Sequence, residues 1–104
     1  MQIILTTLAG DEAARKLARS LISNRLAACV NLLNSVESIY RWKGEIVEEP
    51  ERILMIKCPR VKTRDCLEYL RDHHPYEVPE LVVLDVAEVD AAYAHWLEES
   101  TSDK

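Results

Sequence analysis

The chain is 104 residues long, 48% hydrophobic and 30% charged, a composition that predicts a single domain over residues 1–104 and excludes a two-domain or disordered chain. Its net charge of −5, from 13 Lys+Arg against 18 Asp+Glu, argues against a nucleic-acid partner, and two glycines cannot build a Walker loop or a dinucleotide fingerprint. Met1-Gln2-Ile3-Ile4-Leu5 lacks the basic region of a signal peptide, and no stretch nears the roughly 18 apolar residues of a membrane span, so a cytoplasmic protein without a membrane partner is expected.

Gln2 to Leu8, rich in Ile, Leu and Thr, predicts a strand buried on both faces. Ala9-Gly10 turns the chain, and Asp11 is the expected N-cap of a first helix. Ala14, Leu17, Ala18, Leu21 and Ile22 give that helix one apolar stripe. Glu12 and Lys16 are spaced as a surface pair, and Asn24 is the expected left-handed terminator. Leu26 to Leu33 reads as strand, and alternation continues with Val36, Ser38, Tyr40 and Trp42 on one face. Lys43-Gly44 marks a hairpin, with Gly44 expected at positive φ in a type I turn with a G1 bulge. The return arm runs from Glu45 to Lys57, and Pro50 within it belongs at an edge or bulge.

Pro59 opens a second helix with Cys66, Leu67 and Leu70 on its apolar side, and Pro75 stops it after His73-His74. Leu81 to Val86 is strand-like. Asp90 caps a final helix carrying Tyr93, Trp96 and Leu97 on one face, and the tail from Ser100 is expected to fray. The order strand, helix, strand, strand, helix, strand, plus a C-terminal helix, is an α+β, ferredoxin-like βαββαβ sandwich. Two helices cover one sheet face. One short helix cannot cover the other, so sister subunits are expected there and the chain reads as an obligate oligomer.

Cys29, Cys58 and Cys66 form no CxxC pair and are odd in number, so a disulfide framework is not expected. Their apolar neighbours favour buried small hydrophobes over a thiolate ligand or nucleophile. The densest polar cluster is His73-His74-Pro75-Tyr76-Glu77-Val78-Pro79-Glu80. Imidazole and carboxylate suit copper, zinc or nickel, but adjacent helical residues point about 100° apart, so His73 and His74 need an unwound helix end or a second subunit to share an ion. Otherwise His73 complements the helix dipole and His74 anchors the loop. His95 reads as solvent-facing. Glu45, Glu48, Glu49 and Glu51 offer carboxylates for cations, although solvation of the hairpin and blocking of edge pairing fit them better. Tyr40-Arg41-Trp42-Lys43 offers a ligand aromatic and cationic contacts, or packs across strands. Cys66 lies two helical turns before His73, a weak basis for a nucleophile–base pair, and no GxSxG or HExxH motif is present.

The sequence closely resembles the CutA family of divalent-cation tolerance proteins. The resemblance rests on Asp11-Glu12-Ala13, Arg25-Leu26-Ala27-Ala28-Cys29-Val30-Asn31, Ser38-Ile39-Tyr40-Arg41-Trp42-Lys43-Gly44-Glu45, His74-Pro75-Tyr76-Glu77-Val78-Pro79-Glu80 and Trp96-Leu97, in family order along nearly the whole chain. It implies a homotrimer similar in architecture to PII signalling proteins, a link to copper and other divalent cations, and no catalytic reaction. His73 and His74 match histidines associated with copper in some bacterial members. Those members also look to carry a Cys near the end of the first strand, where this chain has Thr6 and Thr7; the missing soft ligand weighs against tight Cu(I) binding. Cys58 departs from the Lys-Thr that usually ends the third strand. Tyr40, Trp42 and Lys43, with His74, Tyr76, Glu77 and Glu80, look like walls of an intersubunit pocket, so a PII-like small-ligand sensor is the alternative.

Overall fold

The Ile-, Leu- and Thr-rich start of the chain forms β1 (Gln2–Leu8), whose even-numbered side chains are buried and odd-numbered ones only half-buried, so burial is complete on one face rather than both. In this computed structural model, which describes residues 1–103, there follow α1 (Asp11–Ser23), β2 (Cys29–Leu32), β3 (Val36–Trp42), β4 (Glu45–Cys58), a 3-10 turn (Arg60–Lys62), α2 (Thr63–His73), β5 (Val82–Asp85) and α3 (Ala91–Ser100). The strands form one antiparallel sheet in the order β2-β4-β1-β5, with β3 also beside β4. Among the described residues, no helix is long and apolar enough to cross a membrane.

The expected βαββαβ order holds, with one modification. The second strand is split, and both pieces pair with the same 14-residue β4: Cys29–Leu32 against Leu54–Lys57, then Val36–Trp42 against Glu45–Glu51. Arg52 occupies the break. Its Nε donates to the Leu33 carbonyl at 2.7 Å, its Nη2 to Leu32 at 3.4 Å, and its Nη1 to Asp11 Oδ1 at 2.8 Å. Those carbonyls are thereby satisfied without a continuous ladder. Pro50 pairs with Glu37 on one side, whereas β1 ends its pairing at Leu8↔Arg52, so the other edge of β4 is free at the proline. This is the edge location that proline requires.

Several local expectations are corrected. Lys43 and Gly44 both have positive φ, 49° and 82°, and Trp42 faces Glu45, so the hairpin is a two-residue type I′ turn rather than type I with a bulge. Gly10 is the N-cap and Asp11 the first helical residue, its carboxylate bound by Arg52 rather than by the helix. Asn24 stays right-handed at φ −87° and donates its amide to the Ser20 carbonyl; Arg25 takes the left-handed conformation instead. Glu12 pairs with Arg15 rather than Lys16. Asp90 caps α3 as expected, accepting from the Ala92 N–H at 3.2 Å. The tail does not fray through Asp103: Thr101 is buried with its hydroxyl on the Leu97 carbonyl, and Lys62 holds Asp103 at 2.9 Å. Lys104 lies outside the described residues.

The core sits between the sheet and the two long helices, with Ile4, Leu8, Leu21, Leu54, Ile56 and Leu70 fully buried. Cys58 and Cys66 are both buried there, and the neighbouring Cys58, followed by burial, pushes the Cys66 pKa up. The far side is different. Every residue of β5 is exposed, Val82 and Leu84 at 43% each, and Ile39 and Ile46 on the hairpin are exposed at 62% and 69%.

Candidate functional site

The helix-stop at Pro75 creates the site. α2 ends at His73, and His74 turns extended with φ −72° and ψ 136°, which carries the next residues across the end of the sheet. The His74 ring is buried. Its Nε2–H donates to the Thr7 carbonyl at 2.9 Å, and its Nδ1 accepts from the Tyr76 N–H at 3.1 Å. A carbonyl only accepts and an amide only donates, so these two bonds fix one neutral tautomer. Tyr76 continues the chain of contacts: its hydroxyl donates to Glu51 Oε2 at 2.6 Å and accepts from the Ala9 N–H at 2.8 Å. Burial, followed by the bond to Glu51, pushes the Tyr76 phenol well above its usual range.

The 76–80 segment faces the β3–β4 hairpin across a cavity of about 520 Å³. Tyr40 and Trp42 reach it from β3, Glu49 and Glu51 from β4, and Tyr76, Glu77 and Glu80 from the segment after α2. The ladder explains the hairpin wall, because Ser38 faces Glu49 and Val36 faces Glu51, so these carboxylates share a face with Tyr40 and Trp42. The Tyr40 hydroxyl donates to Glu49, which pushes its pKa up to about 12. Lys43 is not part of the wall; its Nζ sits 5.7 Å above the Trp42 ring. Glu45 and Glu48 are exposed as expected, but Glu51 is only 5% exposed and belongs to the cavity rather than to a solvated fringe. The period-2 spacing of Glu49 and Glu51 opposite the Tyr40 face is the signal that would have identified them.

His73 has a separate environment. It is exposed, stacks on Tyr69 with ring centroids 3.9 Å apart, and its Nδ1–H donates to the Tyr69 carbonyl at 2.9 Å. In the neutral ring Nε2 then carries the lone pair, on a residue that is exposed. The two adjacent imidazoles thus have different partners, and among the described residues no three His, Cys, Asp or Glu side chains gather as a metal cluster. Thr6 is buried with an unpartnered hydroxyl, and Thr7 lines the cavity. Cys66 is buried near Cys58 while His73 is exposed and bonded to Tyr69, so the thiol and the imidazole seven residues later have different surroundings. Cys29 is half-buried. His95 is exposed and pairs with Glu99.

A pH dependence follows from His74. Burial lowers its pKa below the ordinary 6.5, so the unfolded chain gains a proton first as the solution is acidified. Stability is therefore complete above about pH 6.5 and falls as the pH drops below it. Asp11, held down by Arg52, and Asp85, held down by Gln2 and then Arg60, add losses only at more acidic pH. The denaturant midpoint is expected to fall between about pH 7 and pH 5 in the wild type, and less steeply in His74→Gln. Equal slopes for the two proteins would remove His74 as the cause.

The sequence profile of the CutA1 divalent ion tolerance protein family matches residues 2–100. The divalent-cation tolerance protein CutA of Thermus thermophilus is 42% identical over 100 residues, covering 96% of this chain and 97% of that protein. Its solved structure superposes with a TM-score of 0.91 over 98% of this chain and 100% of that one. CutA1 from Pyrococcus horikoshii superposes with a TM-score of 0.95 at 33% identity, covering 99% and 100% of the two chains. Against the mouse protein CutA, 40% identical over 91% of this chain, the chain spans 54% of the relative's length. The chain belongs to the CutA1 divalent ion tolerance family.

Proposed function

We propose, from that membership, that the protein is a cytoplasmic homotrimer that binds divalent copper and acts in divalent-cation tolerance by binding rather than by turnover. The observation that carries the metal assignment is the Nδ1–H bond from His73 to the Tyr69 carbonyl, which leaves Nε2 as the donor atom on an exposed residue. A hydrogen bond from the second ring nitrogen is the arrangement that orients ligating histidines, and neutral imidazole suits copper. With Thr6 and Thr7 in place of a thiol, Cu(II) rather than Cu(I) is the matching oxidation state. His74 joins the metal only by surrendering its bond to Thr7 or Tyr76, so its main part is to hold the loop that follows. The open sheet face and the exposed apolar hairpin are the surfaces that sister subunits would cover. Calorimetric titration of Cu(II) into the assembled protein is expected to lose about tenfold in affinity or more with His73→Ala, a change of about 1.4 kcal/mol. Wild-type affinity in His73→Ala would remove that ligand, and a larger loss in His74→Ala than in His73→Ala would reverse the two roles.

A second reading is favoured by the cavity itself. Its volume of about 520 Å³ lies within the range of small-ligand sites, and it combines aromatic walls with a few placed polar groups. On this reading the protein is a PII-like sensor whose Tyr40, Trp42, Tyr76, Glu77 and Glu80, with Lys43 at the rim, meet a small molecule at the subunit interface.

A further inference from the structure

We infer that the cavity between the β3–β4 hairpin and the 76–80 segment takes an organic dication, an aliphatic diamine or polyamine. This rests on the small-ligand reading above and names its chemical class. The charge on the walls is of one sign: Glu49 and Glu51 stand on the hairpin side, Glu77 and Glu80 on the loop side, and among the described residues no Lys or Arg lines the space. Lys43 is held over the Trp42 ring instead. A nucleotide or dicarboxylate would meet like charges without a counter-ion, which costs several kcal/mol at close range.

Glu51 adds a second observation. It is 5% exposed, Tyr76 satisfies its Oε2, and among the described residues no hydrogen bond reaches Oε1. A carboxylate oxygen without a hydrogen bond, on a residue that lines the cavity, is matched by a charged donor, and an ammonium supplies three N–H groups on one small head. A bare metal ion fits less well, because the carboxylates are divided between two walls and no three ligating side chains converge. Divided anionic walls match two ammonium groups separated by a spacer. The same walls carry Ile39, Val78 and the Tyr40 and Trp42 rings, which offer apolar contact to methylenes and π-faces to the ammonium heads.

The test is calorimetry on the assembled protein at about 0.15 M ionic strength, where surface attraction is screened beyond about 8 Å. Putrescine and spermidine are the cationic probes and ATP the anionic one. Diamine binding is expected, about tenfold weaker or worse in Glu51→Gln, and unchanged in Glu45→Gln on the exposed part of the arm. Equal weakening by both substitutions, or binding that survives Glu51→Gln, would reduce the effect to general surface charge and overturn the proposal. ATP binding without amine binding would leave a small-ligand site standing and overturn only its cationic class. Binding of neither probe, with copper binding intact, would overturn both.

Discussion

Leu84→Glu is expected to convert the proposed trimer into folded monomers, read in light scattering as a fall to the single-chain mass of 11.9 kDa with the far-ultraviolet circular dichroism preserved. Leu84 pairs with Ile3 on the edge strand β5, and its side chain is 43% exposed in the single chain. In the monomer a glutamate there is solvated and costs the fold little. In an assembly that covers this face, the same carboxylate is desolvated without a partner, at a cost of several kcal/mol per subunit. A chain of this size buries only about 65% of its unfolded surface by itself. Because stability and association are linked, the monomeric variant is also expected to unfold at lower denaturant concentration, with a midpoint that no longer rises with protein concentration. A monomeric wild type, or a trimer untouched by the glutamate, would contradict the assembly and the surface assigned to it.

Leu54→Ala is expected to remove about 2–5 kcal/mol of stability, the range for a fully buried leucine truncated in a close-packed core. Leu54 has no exposed surface, and it lies where β4 is paired on both sides, with Thr6 on β1 and Leu32 on β2. The neighbouring strands are fixed by their ladders, so they cannot collapse into the space. For a domain of about 100 residues each kcal/mol moves Tm by about 4–8 °C. Val61→Ala provides the comparison, because Val61 is 84% exposed; its effect is expected within about 0.5 kcal/mol. A Leu54→Ala loss below about 1 kcal/mol would mean that the core repacks around β4.

What could be read from the sequence was what neighbours along the chain decide. β1 has the expected ends, the stripe on α1 is buried, Pro75 stops α2, and Asp90 caps α3. The differences come from partners far along the chain. The interruption between β2 and β3 depends on Arg52, 19 residues beyond Leu33, and no local propensity encodes it. The positive φ of Lys43 answers to the twist of a two-residue hairpin. Among the site residues, Tyr40, Trp42, Tyr76, Glu77 and Glu80 line one cavity, whereas Glu51 looked like one more surface acid. Its burial is imposed by Tyr76, 25 residues later. Both histidines were visible as candidates. Their divergence was expected from helix geometry, but the partner of His74 was not, since only the folded sheet brings the Thr7 carbonyl to it.

Arg52 also marks a mechanical boundary. Beyond it, the 36–51 arm has a single ladder and no fully buried residue on β3, whereas residues 54–57 of β4 are paired on both sides. The arm is thus a foldon of lower local stability than the body, and its amides should exchange with solvent sooner. The cavity has one wall on each unit. Anything that docks against the arm fixes the aperture of the cleft, and anything gripped in the cleft steadies the arm. By linkage the two affinities change by the same factor, so subunit contact and ligand capture become a single reciprocal equilibrium.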